Sequence, residues 1–120
     1  MSAPWVAGDV RAVAMARRIV GIAGVRRIAD SACLSDALSL LATSPYSRDM
    51  GDVHDLTAAQ RAVACTLLWN LRVLAGWAPP AGVVMFRIVA GWYEIANIEA
   101  RLRSDDPEIR ERPYDVGGLA

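Results

Sequence analysis

The apolar positions of this chain recur every three or four residues, which is the period of an amphipathic α-helix. The clearest stretch covers residues 82–103 and has apolar side chains at positions 85, 88, 89, 92, 95, 98 and 102. A second stretch covers residues 57–75 and begins at Thr57 and Gln60, whose spacing is typical of a capping box. Gly76 and the pair Pro79-Pro80 separate the two stretches. They predict two long helices in an antiparallel hairpin.

Shorter helical patterns precede this hairpin. One runs from about Pro4 to Val20, and a break at Gly21 and Gly24 separates it from a short piece over residues 25–30. Another covers residues 34–43, with Ser35 as the predicted N-cap. No alternating pattern indicates a strand. The sequence therefore predicts an all-α fold, an up-down helical bundle of four to five helices over residues 1–103. Residues 104–120 are predicted to be a polar linker or the start of a missing C-terminal part.

Charge and cysteine content restrict the function classes. The 13 basic residues, all arginine, balance 13 acidic ones, which argues against a broad nucleic-acid footprint. Cys33 and Cys65 lack metal-ligand spacing, and we interpret both as reduced, buried thiols of a cytosolic protein. We expect a cytoplasmic location, with peripheral contact to the cytoplasmic side of a membrane left open. No membrane span is predicted, because the most apolar stretch, 62–78, is under about 20 residues and contains Asn70 and Arg72.

Candidate chemistry is sparse. The chain contains no nucleophile, phosphate-loop or zinc-protease motif, and His54 is the only histidine. We therefore expect no catalytic residue, no cofactor and no metal. Glu94, Asn97 and Arg101 share one face of the long helix, and such a trio is more often a structural network than a site.

Two predictions concern the interior of the bundle. Glu94 and Asn97 should face inward toward Arg11 or Arg18, because a buried carboxylate requires a charged partner. Trp92 should lie in the core of the hairpin on the apolar bed of Ile88, Val89 and Ile95, unless it belongs to a partner-binding patch.

Three segments together resemble one protein family. They are Val10-Arg11-Ala12 with Arg17-Arg18 downstream, then Leu40-Leu41-Ala42-Thr43-Ser44-Pro45-Tyr46-Ser47, and finally Tyr93-Glu94-Ile95-Ala96-Asn97-Ile98 followed by Arg101-Leu102-Arg103. In order and spacing they resemble the Arg-rich first helix, the Thr-Pro-Tyr-Gly turn and the Asp-Ile-x-Asn-Leu helix of the C-type (also called d-type) subunit of V/A-type rotary ATPases.

The resemblance implies a non-catalytic helical adapter, since the C-type subunit sits on the proteolipid rotor ring and receives the central shaft. It also implies a polar interior in which the side chains of Arg11, Glu94, Asn97 and Arg101 bond to one another. Rotary ATPase subunits are the implied protein partners, and the oligomeric state stays open. The alternative is an anion-binding module, for nucleic acid or a membrane surface, that uses the arginine pairs 17–18 and 26–27. Nucleic acid is the less favoured ligand, and an enzyme is the weakest class.

Overall fold

The described residues fold mainly into α-helices. The structure is a computed structural model, and it describes residues 2–103 and 113–119. Within those residues there is no strand, so the predicted all-α fold is confirmed. The elements are α1 (Ala3–Ala16), α2 (Gly21–Ala29), α3 (Leu34–Ala42), α4 (Leu56–Trp77) and α5 (Pro80–Arg103), with 3-10 turns at Ser47–Asp49 and Gly117–Leu119.

The chain divides into two packed units. The hairpin unit contains Met1–Arg11 and Leu68–Ala120, and the inserted unit is the continuous segment Ala12–Leu67. Helices α1 and α4 each contribute residues to both units. The predicted linker over 104–120 includes residues 104–112, which lie outside the described residues.

The hairpin unit is built on α5 and the second half of α4, which are joined by the two residues 78–79. Its core is a cluster of three buried side chains, Leu68, Ala90 and Leu119. Half-buried side chains pack around that cluster: Leu71, Ala75, Phe86, Tyr93, Tyr114 and Val116. Residues 114–119 therefore supply part of the apolar core, because they pack against both helices of the hairpin.

The first turns of α1 approach the tip of the hairpin closely. A Cβ atom on Gly82 would lie 3.1 Å from the ring of Trp5, and one on Gly8 would lie 3.3 Å from the carbonyl oxygen of Trp77. Glycine at these two positions therefore allows the backbones to approach to a distance that a larger residue would obstruct.

Helix starts differ in detail from the sequence-based expectation. Helix α4 is capped by Asp55, whose Oδ1 accepts a hydrogen bond from the N–H of Ala58 at 2.8 Å, so the predicted Thr57 cap is wrong. Cys33 occupies the N-cap of α3 without a side-chain cap bond, so Ser35 is not the cap either. The break is confirmed at Gly21, which starts α2 with a φ of 74°. It is wrong at Gly24, which lies inside α2, so this helix begins four residues earlier than expected.

The inserted unit is held together by contacts between its helices and by polar contacts of its 3-10 turn. Helix α2 packs against α3, and α3 packs against the 3-10 turn Ser47–Asp49. The Thr66 hydroxyl, which is buried, donates a hydrogen bond to Asp49 Oδ2 at 2.9 Å. The Asp49 carboxylate also pairs with Arg48 at 3.0 Å. The bond between Thr66 and Asp49 thus ties α4 to the 3-10 turn.

Leu68 and Leu67 provide a matched test of the core. Leu68 is 1% exposed and Leu67 is 43% exposed. We expect Leu68→Ala to lower the free energy of unfolding by about 3–5 kcal/mol, because it leaves a cavity beside Ala90 and Leu119. Leu67→Ala should cost less than half as much. All four tryptophans lie in the hairpin unit, so chemical denaturation followed by tryptophan fluorescence measures this unit. Equal losses in the two variants would contradict this core.

Candidate functional site

Helix α5 is apolar on two opposite faces. Its inner face carries Phe86, Ala90, Tyr93 and Asn97, which follow each other at helical spacing and contact the rest of the hairpin unit. Its outer face is exposed and is defined here by Val84, Met85, Ile88, Val89, Trp92, Ile95, Ile98 and Leu102. The helix therefore presents to solvent as many large apolar side chains as a core helix buries.

Trp92 lies at the middle of the outer face. It is 74% exposed, so the prediction that it packs in the core of the hairpin is wrong. The physical reason is rotational register: Ala90, fully buried, fixes the inner face, and two residues further along, Trp92 points away from it. The apolar bed of Ile88, Val89 and Ile95 does exist, but it is exposed together with the indole.

The outer face has the spacing of a helix-packing seam. Residues 85, 88, 92, 95 and 102 follow the alternating three- and four-residue steps of a heptad repeat, with Glu99 filling the remaining position. Glu99 accepts a hydrogen bond from Arg103 at 3.1 Å, so the one acidic group on the seam has a basic neighbour. Such spacing suits contact with another helix, because it keeps one straight apolar stripe along the axis.

Asn97 is the predicted site residue with the most definite role. Its Nδ2 donates to the carbonyl oxygen of Tyr114 at 3.0 Å, and the N–H of Tyr114 donates to its Oδ1 at 2.7 Å. The carboxamide thus satisfies both main-chain groups of one residue. The Tyr114 ring also meets Tyr93 edge to face, with 5.1 Å between centroids.

The predicted polar network around Asn97 does not form. Glu94 is half-buried and, within the described residues, makes neither a hydrogen bond nor an ion pair. Arg11, Arg18 and Arg101 are exposed and have no acidic partner in the described part of the chain. The expectation that Arg11 pairs with Glu94 is therefore wrong, and the bonds of Asn97 go to main-chain groups of Tyr114 instead of to an arginine.

Tyr46, predicted from the turn after α3, lies in the inserted unit. Its ring is half-buried, and its main-chain N–H donates to Ser44 Oγ at 3.1 Å. The turn that contains it is held locally, since Ser44 Oγ also donates to the carbonyl oxygen of Leu41 at 2.6 Å.

Sequence reasoning missed the polar contacts of residues 114–118. Asp115 forms an ion pair of 2.7 Å with Arg72 on α4, and Arg87 donates to the carbonyl oxygen of Gly118 at 3.4 Å. The guanidinium of Arg72 also lies 5.8 Å from the centroid of a Trp69 ring. The available signal was the set Tyr114, Val116 and Leu119, which are apolar residues after a highly charged stretch.

The two cysteines are free, and their surroundings differ. Cys33 is exposed, so the prediction that both thiols are buried is wrong for this residue. Cys65 is half-buried, and burial raises the pKa of its thiol above the ordinary value of 9.0. The carboxylate of Asp49 adds to this rise in pKa, whereas Arg61 and Arg48 oppose it.

Helix α5 is also long and apolar enough to cross a membrane by length and composition alone, although no spanning segment was expected from the sequence. Only 11% of its most apolar window is buried. Among the described residues, no group of three or more His, Cys, Asp or Glu side chains could hold a metal ion.

Comparisons with protein-family models, with curated proteins and with solved structures gave no match to this chain. In its described residues the chain is an all-α protein with an exposed apolar face on α5.

Asn97 and Asn70 provide a matched test of the contact with Tyr114. We expect Asn97→Ala to lower the free energy of unfolding by about 1–3 kcal/mol, because two main-chain groups lose their partner. Asn70→Ala should cost less than about 0.5 kcal/mol, because the Asn70 side chain makes no hydrogen bond within the described residues. Denaturation followed by tryptophan fluorescence measures both variants. Equal stability of Asn97→Ala and the unmodified protein would contradict the role given to this contact.

Thiol reactivity should separate the two cysteines. At pH 8 we expect iodoacetamide to alkylate Cys33 faster than Cys65, because the raised pKa of Cys65 keeps its thiol protonated and burial restricts access. The Cys65 rate should still be rising as the pH passes 9. Mass spectrometry of Cys33→Ser and Cys65→Ser variants gives each rate separately. Faster alkylation of Cys65 than of Cys33 at pH 8 would be the opposite result.

Proposed function

We propose that this protein is a non-catalytic helical adapter that binds a protein partner through the outer face of α5, in the manner of the C-type subunit of V/A-type rotary ATPases. The observation that carries the proposal is the exposure of eight large apolar side chains on one side of that helix. A surface of this kind is more apolar than a monomer usually leaves uncovered, and it is typical of interaction sites.

The area of the outer face suits a specific interface. Its eight side chains leave on the order of 900 Å² exposed, and a standard interface buries about 800 Å² on each partner. Trp92 at the middle of the stripe has the residue type and position of an energetic hot spot, with aliphatic neighbours that can exclude water around it.

The partner that this surface favours is a helix. The heptad-like spacing of residues 85, 88, 92, 95 and 102 would let the side chains of a second helix pack between them. The resemblance of segments 10–18, 40–47 and 93–103 to the rotary ATPase family makes the proteolipid ring and the central shaft the first candidates. By the same resemblance the protein is proposed to act in proton transport on the cytoplasmic side of the membrane, without catalysing a reaction itself.

Trp92→Ala tests the outer face directly. We expect its melting temperature to change by less than about 2 °C, because the indole contacts little of its own chain. Its affinity for the partner should fall by about 30-fold or more, as truncation of a hot-spot tryptophan costs about 2 kcal/mol or more. The binding partners to use are the purified proteolipid ring and central-shaft proteins of the V/A-type ATPase from the same organism.

Trp77→Ala is the matched control, because Trp77 is also more than half exposed but does not lie on α5. It should leave the affinity for the partner unchanged. Failure of the unmodified protein to bind either component would refute the adapter role. Binding that survives Trp92→Ala and is lost in Trp77→Ala would refute the outer face as its site.

A further inference from the structure

A groove in the inserted unit joins apolar surface to unpaired positive charge. It has a volume of about 700 Å³ and lies among α2, α3, the turn after α3 and Val63 of α4. Apart from Arg26 and Tyr46, every residue that lines it is aliphatic or glycine. The groove therefore offers a ligand almost no hydrogen bond along its length, and it suits hydrocarbon.

The outer rim of the groove consists of aliphatic side chains that point into solvent. Ile19, Ile22 and Val25 line it and are 66%, 75% and 58% exposed. The opposite side of α2 packs inward through Gly24, which is buried. Helix α2 therefore buries Gly24 and half-buries Ile28, whereas Ile22 and Val25, two of its three large apolar residues, face solvent.

Four arginines accompany this apolar rim. Arg17 and Arg18 precede Ile19, and Arg26 and Arg27 follow Val25; all four are exposed. None of them forms an ion pair within the described residues, and no acidic side chain lines the groove. Along the chain, the nearest acidic residue is Asp30 for Arg26 and Arg27 and Asp9 for Arg17 and Arg18. The rim thus combines insertable hydrocarbon with cations that are available to an external anion.

We propose that this groove and rim bind the surface of a membrane that contains anionic phospholipid. Ile19, Ile22 and Val25 would enter the boundary between head groups and acyl chains, where buried apolar area gives binding energy. The guanidinium groups would contact lipid phosphates, which they match with paired donors. The site lies in the inserted unit and does not involve α5.

The same features disfavour other ligands. Single-stranded nucleic acid needs stacking platforms along a basic groove, and the lining here is aliphatic except for the half-buried Tyr46. A free fatty acid would remain largely in water, because the rim residues are more than half exposed, whereas small-ligand pockets bury about 70–90% of their ligand. A flat lipid surface covers the whole rim at once.

The test measures partition of the full chain onto vesicles. We expect binding to vesicles of phosphatidylcholine with phosphatidylglycerol, weaker binding to phosphatidylcholine alone, and loss of binding as salt is raised. Arg26→Gln with Arg27→Gln should lower the partition coefficient about 30-fold, which is ~1 kcal/mol for each arginine. Ile22→Ser should lower it about tenfold or more, because one inserted aliphatic side chain is lost.

Matched controls lie on α5. Arg101→Gln with Arg103→Gln removes the same charge, Ile98→Ser the same kind of exposed side chain, and Trp92→Ala the proposed protein-binding residue. These three variants should bind vesicles as the unmodified protein does, so failure of this proposal is distinguishable from failure of the adapter role. Circular dichroism verifies that each variant is folded.

Four results would overturn the proposal. The first is no binding to anionic vesicles at low salt and micromolar protein. The second is equal loss of binding in the groove variants and the α5 controls. The third is binding of an oligonucleotide that depends on Arg26 and Arg27 but not on Ile22. The fourth is binding of decanoate without binding of vesicles.

Discussion

In the hairpin unit, the carboxamide of Asn97 holds residue 114 against α5. It accepts a hydrogen bond from the main-chain N–H of Tyr114 and donates one to the carbonyl oxygen of the same residue. These two bonds fix the position at which the chain returns to α5. From there the Tyr114 ring meets Tyr93, Asp115 reaches Arg72, and Leu119 enters the core beside Leu68 and Ala90. A half-buried polar contact and the apolar contacts of residues 114–119 thus hold the same segment.

This arrangement also determines which face of α5 is left uncovered. Because Ala90, Tyr93 and Asn97 are turned toward α4 and residues 114–119, the residues half a turn away have nothing of the hairpin unit to pack on. The outer face is therefore exposed by the same contacts that give the unit its core. An exposed stripe of large apolar side chains is costly to leave in water, and this cost would become binding energy once a partner covers it.

The sequence was sufficient to predict features that depend on neighbouring residues, such as where most of the helices and turns lie. Helical period and Pro79-Pro80 predicted α4, α5 and the turn between them, and Gly21 marked the start of α2. Gly76 was expected to separate the two long helices but lies inside α4. The sequence was insufficient to predict side-chain contacts with residues that are distant along the chain. The apolar period of α5 fits two faces equally well, so only the location of Leu68 and Leu119 shows which face is inside and places Trp92 outside. Asn97 was expected to face arginine, because nothing local indicates that main-chain groups 17 residues away take its bonds.

The inserted unit is one uninterrupted segment, while the hairpin unit takes residues from both sides of it. The residues of the inserted unit are therefore all synthesised before those of the hairpin unit are complete. Residues 12–67 can pack as soon as they emerge, whereas the inner face of α5 waits for Tyr114 and Leu119 to be translated. At synthesis rates of roughly 5–20 residues per second, residues 104–119 take about 1–3 seconds to add, and until then the inner face of α5 lacks the side chains that cover it.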